Sequence, residues 1–339
     1  MSADVFDPAV TLRALEEAVG RVVVGQDEVV RRTIACLVGG GHALLEGAPG
    51  LGKTLLVRTI AAATGLAFGR VQFTPDLLPA DVTGTTILVD GPAGRGFEFR
   101  PGPLFAHLVL ADEVNRATPR TQSALLEAMA EAAVTVAGER HPLPQPFCVL
   151  ATQNPVEMEG TFPLPEAQLD RFLAKIVLAA PDEAALVEIF RRGAAPPAPA
   201  VVATPAHVLA LAAAARAVEI PEPLLQQVAR IVRATDPRGT ASTSAARRHL
   251  RLGASPRAGE AICRLAQVEA LRDGRSWVGA ADVATALRPA LRHRLLPSFE
   301  AEARGLVGDA LVAEVLHDLA DLPPDVEAVL QSIDRSPAG

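Results

Sequence analysis

The sequence predicts an α/β domain built on a parallel β-sheet and followed by an all-helical domain. In the first half of the chain, short apolar runs alternate with helical patterns, as expected for parallel strands joined by crossover helices. After about residue 181 the strand patterns stop and amphipathic helical patterns take over. With 339 residues, 49% of them apolar, the chain is long enough for roughly two domains with buried cores.

Each element is predicted from its period and from the turn-forming residues around it. Buried strands are predicted at residues 42–45, 67–73, 108–111, 147–152 and 174–178. Helices of the second half are predicted at residues 183–192, 206–217, 223–234, 257–272 and 280–291. The Pro- and Ala-rich residues 193–205 predict a connector, and residues 236–251, rich in Gly, Thr, Ser and Arg, predict a mobile loop. The predicted division is an N-terminal helix or tail (1–19), a core (20–181) and a helical domain (182–339).

Composition narrows the class of protein before any motif is considered. No apolar run reaches the ~18 residues that a membrane-spanning helix needs, and residues 1–10 lack the basic and apolar regions of an export signal. We therefore expect a cytoplasmic protein without a membrane segment. The widely spaced Cys36, Cys148 and Cys263 predict reduced core thiols. The net charge of −7 disfavours nucleic acid as the main partner, since phosphate binding needs a basic surface.

One loop carries the pattern G-x-x-x-x-G-K-[ST] between an apolar run and a helical pattern. Its residues are Gly47, Ala48, Pro49, Gly50, Leu51, Gly52, Lys53 and Thr54. The glycines allow backbone N–H groups to curl around phosphates at a helix N-terminus. In this P-loop pattern the Lys53 ammonium reaches the β- and γ-phosphates of a nucleotide, and the Thr54 hydroxyl binds Mg²⁺. The alternative, an ordinary glycine-rich turn, becomes weaker with each further motif.

Polar residues follow two later strands. Asp112 and Glu113 come directly after the apolar run at 108–111, where an aspartate can support Mg²⁺ and a glutamate can polarise an attacking water molecule, the Walker B pattern. Such a pair alone is usually a solvated loop, but about sixty residues after a P-loop it is a strong indication. Asn154 follows the run at 147–152 and could position water near a γ-phosphate, or it could only form an Asn-Pro turn.

These motifs, in this order, resemble those of MoxR-type AAA+ ATPases. The matching segments are residues 21–26, the P-loop, 111–117, 151–155, 160–172, 253–258, 291–294 and 299–301. The resemblance covers about residues 20 to 305 and implies an αβα nucleotide-binding core of strand order 5-1-4-3-2, followed by a helical lid. It also implies ATP and Mg²⁺ as ligands, and a ring of subunits, expected to be a hexamer, with ATP at the subunit boundary.

The resemblance assigns roles to residues around the nucleotide. It puts Val24, Gly25 and Gln26 near the adenine. It makes Glu113 the catalytic base and Asn154 the residue called sensor 1. Each of these roles is an expectation carried over from the family pattern.

The resemblance also assigns roles to two arginines. Arg257 would be sensor 2, reaching the nucleotide from the lid of its own subunit. Arg171 would be the arginine finger that reaches the γ-phosphate of a neighbouring subunit. The alternatives are a salt bridge from Arg171 to Asp170 or Glu166, and a solvated helix start at Arg257.

Two segments resemble the hairpin insertions of the MoxR, magnesium-chelatase and MCM-like branch of AAA+ proteins. Residues 86–99 place alternating apolar residues around a Gly-rich turn and predict a hairpin that interrupts the helix after the second strand. Residues 134–147 predict a second hairpin. Its turn lacks the aromatic residue of many threading unfoldases, so processive unfolding is not implied.

The family resemblance implies a chaperone-like ATPase that activates or remodels protein complexes, commonly with a partner that bears a von Willebrand factor A domain. A magnesium-chelatase-like subunit is the closest alternative, and these motifs separate the two poorly. A nucleic-acid-dependent motor would share the core but should add a basic channel or a DNA-binding domain, and neither is visible in the sequence. The basic cluster Arg247, Arg248 and Arg251 is interpreted as solvated loop charge.

Overall fold

The computed structural model describes residues 6–91, 94–153, 161–193, 197–317 and 319 of the chain. The described residues divide into two compact units. One unit is drawn from Thr11–Arg171 and Ile176–Ala210 and contains most of the central β-sheet. The other is drawn from Met1–Val10, Phe172–Lys175 and Leu211–Gly339 and is mainly helical. Across the described residues, no helix is long and apolar enough to cross a membrane.

The secondary structure follows the alternation expected from the sequence. The helices are α1 (Pro8–Gly20), α2 (Asp27–Val38), α3 (Lys53–Thr64), α4 (Pro79–Thr83), α5 (Pro119–Glu131), α6 (Glu166–Leu169), α7 (Glu183–Arg192), α8 (Pro205–Ala217), α9 (Glu222–Ala234), α10 (Ser244–His249), α11 (Pro256–Arg272), α12 (Ala280–Leu291), α13 (Phe299–Ala303) and α14 (Gly308–His317). The strands are β1 (Ala43–Glu46), β2 (Phe68–Gln72), β3 (Gly84–Gly91), β4 (Gly94–Pro101), β5 (Leu108–Asp112), β6 (Ala133–Val136), β7 (Glu139–Pro142), β8 (Cys148–Gln153), β9 (Ala174–Val177), β10 (Leu250–Leu252) and β11 (Leu296–Pro297).

Five parallel strands form the central sheet in the order β2-β5-β8-β1-β9. Numbered among themselves, they have the order 5-1-4-3-2, and each end lies within one residue of the predicted run. The predicted α/β fold is therefore confirmed. β5 and β8 are buried along their whole length except for their last residues, which suits parallel strands covered on both faces.

The carboxyl ends of the parallel strands place polar residues along one edge of the sheet. β1 ends at Glu46, β2 at Gln72, β5 at Asp112 and β8 at Gln153. In the parallel register Gln72 lies beside Asp112, and Glu46 lies beside Gln153. Ligands of open α/β sheets bind at this edge, so the strand order brings distant parts of the sequence to one candidate site.

Both predicted hairpins form, as the antiparallel pairs β3–β4 and β6–β7. The first hairpin does not interrupt a longer helix, because α4 ends directly before β3 and residues 102–107 after β4 form turns and bends. Gly84 ends α4 because its φ of 98° is not helical, and only glycine fits there, since a Cβ would lie 2.4 Å from the carbonyl oxygen of Arg100. The rings of Phe99 and His141 stack at 3.8 Å, so the two hairpins pack against each other.

In the helical unit, α11 packs against α9 and α12, and all three helices agree with their predicted bounds to within one residue. The predicted loop at 236–251 is wrong in its second half, which contains α10 and the first residues of β10. The Thr243 hydroxyl begins α10 by accepting a hydrogen bond from the backbone N–H of Ala246. Ala245 and Ala246 are then buried, and β10 pairs with β11. The sequence signal for α10 was Thr243, a capping residue shortly before Ala245 and Ala246.

Candidate nucleotide site

The P-loop connects β1 to α3, where the sequence predicts it. Gly50 and Gly52 have φ values of 86° and 80°, in the left-handed region that favours glycine. In this segment Gly52 caps α3 without a side-chain hydrogen bond, and no acidic residue lies in the first turn of the helix. The first N–H groups of α3 and the positive end of its dipole therefore point to an anion-binding site.

The ammonium group of Lys53 lies against the P-loop. Its Nζ donates to the carbonyl oxygens of Gly47 at 2.6 Å and Ala48 at 3.5 Å. Partial burial lowers the pKa of Lys53, and the negative charges of Asp112 and Glu113 oppose that shift. A cation that is held by carbonyl oxygens of the loop can exchange these contacts for the oxygens of a phosphate.

A cavity of about 350 Å³ brings the P-loop together with the two predicted carboxylates. Its lining consists of Pro49, Gly50, Gly52, Lys53, Thr54, Leu55, Asp112 and Glu113. The phosphate-binding pattern and the Walker B pattern therefore meet in one cavity, as the order of the strands requires.

Thr152 joins the two carboxylate residues to the neighbouring strand β8. Its hydroxyl donates to Oδ1 of Asp112 at 2.7 Å and accepts from the backbone N–H of Glu113 at 2.8 Å. Glu113 has a φ of 57°, in the left-handed region, which costs free energy for a residue other than glycine. Because Thr152 is fully buried, its hydrogen bond holds this strained backbone in place and so fixes where the Glu113 side chain begins.

Three residues that carry no predicted role hold the carboxylate groups. Gln72 Nε2 donates to Oε2 of Glu113 at 2.9 Å, and Arg116 Nε forms an ion pair with the same oxygen at 3.2 Å. Arg70 donates to Oδ2 of Asp112 at 2.7 Å. The signal in the sequence was the pair Arg70 and Gln72, two polar residues at alternate positions of a predicted strand, which must share one face.

The residues that the resemblance puts near the adenine form the turn before α2. Gln26 is buried, and its Nε2 donates to the carbonyl oxygen of Ala179 at 2.8 Å. Val24, Gly25 and Gln26 are not among the residues that line the cavity of the P-loop. Gln26 ties this turn to the chain after β9, and a contact of the three residues with a nucleotide stays a prediction.

Arg171 and Arg257 are not among the residues that line this cavity. Arg171 follows α6, is exposed, and donates from Nη1 to the carbonyl oxygen of Leu126 at 2.6 Å. Arg257 is the second residue of α11 in the helical unit, with its N–H bonded to the Ser255 hydroxyl. Asn154 lies outside the described residues. The roles assigned to all three stay predictions.

The donors in the cavity fit a magnesium nucleotide. The N-terminus of α3 and the Lys53 ammonium supply hydrogen-bond donors and positive charge for phosphate oxygens. The Thr54 hydroxyl and the Asp112 carboxylate supply the hard oxygen ligands that Mg²⁺ prefers, and Mg²⁺ in such sites shares its coordination with phosphates and water.

The strand order and the position of the P-loop define the class of protein, an AAA+ fold. A family model described as "ATPase family associated with various cellular activities (AAA)" matches residues 42–174, and an AAA lid domain model matches residues 242–315. A crystal structure of a protein from Cytophaga hutchinsonii superposes with a TM-score of 0.85 and 39% identity, covering 92% of this chain and 95% of that one.

Sequence relatives narrow the class further. Chaperone MoxR1 of Mycobacterium tuberculosis is 41% identical over 95% of this chain and 86% of its own length. The uncharacterised protein YeaC of Bacillus subtilis is 40% identical over 88% of this chain and 91% of its own. Protein MoxR of Paracoccus denitrificans is 31% identical over 91% of this chain and 95% of its own. The chain belongs to the MoxR family of AAA+ ATPases.

Proposed function

We propose that this protein binds MgATP in the P-loop cavity and hydrolyses it. The observation that carries the proposal is the cavity that Lys53, Thr54, Asp112 and Glu113 share. Lys53 and the N–H groups of the loop would bind the phosphates, while Thr54 and Asp112 would hold Mg²⁺. Bound there, Mg²⁺ neutralises charge on the phosphate oxygens.

In this proposal Glu113 is the base that polarises the attacking water molecule. A general base acts only when its carboxylate is held within hydrogen-bond reach of the proton that it takes. The buried hydroxyl of Thr152 fixes the backbone of Glu113, and Gln72 and Arg116 hold one carboxylate oxygen. These contacts orient the base through rigid strands, which supports the assignment of Glu113.

Gln72→Ala is expected to lower kcat for ATP hydrolysis about tenfold and to leave KM for ATP within about twofold, because the base loses an orienting contact while the phosphate site keeps its residues. Steady-state phosphate release measures both constants. Gln226→Ala, which removes an exposed amide from α9, is the control and should behave as the wild type. An unchanged kcat in Gln72→Ala would show that this contact does not orient the base.

The proposed active form is a ring, a hexamer by analogy with the family, in which Arg171 completes the ATP site of the next subunit. β9 is an edge strand of the sheet, and Arg171 precedes it by three positions in an exposed segment, which supports a role toward a neighbour. Arg257 would contact the nucleotide phosphates from the helical unit of its own subunit. Asn154 would position the attacking water molecule.

The proposed work of the ATPase is chaperone-like remodelling or activation of a protein complex in the cytoplasm. It rests on the family and on the relative named Chaperone MoxR1. A partner with a von Willebrand factor A domain is proposed from the family resemblance alone. A magnesium-chelatase-like subunit remains the alternative, and a pull-down that recovers a von Willebrand factor A protein rather than chelatase subunits would separate the two.

We expect DNA not to stimulate ATP hydrolysis, because the net charge of −7 opposes phosphate binding outside the nucleotide site. Phosphate release is measured with and without single- and double-stranded DNA at low salt, where electrostatic binding is strongest. Stimulation that disappears as salt is raised would contradict the proposal and would favour a nucleic-acid-dependent motor.

A further inference from the structure

Two adjacent basic side chains after α12 are buried in the helical unit. Arg294 is 6% exposed and His293 is 5% exposed. Removing a guanidinium group from water is costly unless its donors are matched by acceptors. The acceptors of these two side chains therefore show which part of the chain the two residues hold.

The acceptors are backbone carbonyl groups of the segment that follows Arg171. Arg294 donates from Nη2 to the oxygen of Phe172 at 2.7 Å and from Nη1 to the oxygen of Leu173 at 3.4 Å. Nη1 also donates to the oxygen of Ala290, within α12. His293 Nε2 lies 3.1 Å from the same oxygen of Phe172. Two side chains thus converge on the carbonyl group of Phe172, in the peptide group that joins Phe172 to Leu173.

The hydrogen bond of His293 determines where its proton lies. A carbonyl oxygen can only accept, so Nε2 carries the proton. Burial lowers the pKa of His293 well below its usual range, and the charge of Arg294 lowers it further, while the bond to Phe172 opposes the shift. The imidazole is therefore neutral near pH 7, and the contact with Phe172 persists across the ordinary pH range.

The contacts of His293 and Arg294 act on Arg171 through the backbone of Phe172, the residue that follows it. Phe172 is fully buried, and its carbonyl group is held by both His293 and Arg294. The guanidinium of Arg171 is held separately, by the carbonyl oxygen of Leu126 on α5. Because burial and these hydrogen bonds hold the residue directly after Arg171, they restrict the backbone from which the Arg171 side chain leaves.

We infer that Arg294, assisted by His293, is a positioning residue for Arg171. Arg294 holds the backbone after Arg171, so that the guanidinium of Arg171 meets the phosphates of the neighbouring subunit. The inference rests on the proposed function of Arg171 in a ring. A displacement of about 1 Å in a group that meets the reacting phosphates can cost about 10²-fold in rate. Contacts that hold Phe172, the residue next to Arg171, can therefore affect the rate of hydrolysis.

Arg294→Met is expected to lower kcat for ATP hydrolysis by about ten- to a hundredfold and to leave KM for ATP within about twofold. Arg292→Met is the matched control, since it removes a largely buried arginine of the same turn that pairs with Asp309 at 2.9 Å. The control should retain wild-type kcat. Size-exclusion chromatography and thermal unfolding verify that both variants assemble and fold.

Mixed oligomers distinguish a positioning role from a structural one. Arg294→Met subunits mixed with Glu113→Gln subunits should regain activity, because some sites then combine an intact Glu113 with an intact Arg171 from the neighbour. Arg294→Met mixed with Arg171→Ala should not regain activity, because both defects lie on the same side of the shared site. The mixture of Arg171→Ala with Glu113→Gln is the reference.

The opposite pairing overturns the inference. If Arg294→Met is rescued by Arg171→Ala and not by Glu113→Gln, Arg294 acts on the nucleotide of its own subunit. If the reference mixture forms mixed oligomers and stays inactive, the proposed trans role of Arg171 fails, and the positioning role fails with it. Should Arg294→Met not assemble, Arg294→Lys, which keeps the charge but cannot match both carbonyl groups, is tested in the same mixtures with the same criteria.

Discussion

Glu113→Gln is expected to nearly abolish phosphate release while MgATP stays bound. Loss of a general base costs about 10²- to 10⁴-fold in rate. The amide of glutamine has the same shape as the carboxylate, so the fold, the P-loop and the residues proposed to hold Mg²⁺ should remain intact. A variant that binds and does not turn over would separate the role of Glu113 from that of Lys53 and Thr54.

Two measurements on one preparation test this expectation. Calorimetry with ATP and Mg²⁺ should give a Kd close to that of the wild type, and a phosphate-release assay should give only a residual rate. Glu131→Gln, which neutralises an exposed carboxylate at the end of α5, is the control and should turn over normally. Turnover of Glu113→Gln at the wild-type rate would assign the base to another residue.

The second large effect is expected from Arg171→Ala. An arginine supplied by a neighbouring protein contributes about 10³ to 10⁵ in rate in related phosphoryl-transfer systems, because charge that develops in the transition state needs a further cation. In the proposed site Lys53 would bind the phosphates in the ground state, and its ammonium group lies against the P-loop of its own subunit. Arg171 is exposed and precedes the edge strand β9, and we propose that it is the residue that serves a neighbour.

Two inactive variants should therefore restore activity when they are mixed. Arg171→Ala keeps Glu113, and Glu113→Gln keeps Arg171, so mixed oligomers contain some sites with both residues. Activity is measured after subunit exchange, and mixed oligomers are detected by differently tagged subunits. Full activity of Arg171→Ala by itself would remove the arginine finger and would favour an ATPase that acts as a monomer.

The fold could be predicted from the sequence because its signals are local. The three inner strands β1, β5 and β8 are short buried runs, and each ends in a polar residue, such as Asp112 in β5 and Gln153 in β8. The P-loop also carries its own signal, since the left-handed backbone at Gly50 and Gly52 needs glycine. Local signals of this kind predict both the strands and the polar residues at their carboxyl ends.

Contacts between distant segments could not be predicted in the same way. Gln72 meets Glu113 only because β2 lies beside β5 in the register that pairs Gln72 with Asp112. Arg294 meets the carbonyl group of Phe172 across 122 residues of sequence. Gln72, a polar residue within a predicted strand, is the available signal in the first case, but in both cases the partner depends on packing that no local pattern contains.

ATP binding and nucleotide-dependent phosphate release by the wild type and by Lys53→Ala, measured side by side, test the central claim most directly. We expect Mg²⁺-dependent release by the wild type, at least about tenfold weaker ATP binding by Lys53→Ala, equivalent to about 1.4 kcal/mol, and background release by that variant. Equal ATP binding and equal release by the two proteins would contradict a hydrolytic site at the P-loop.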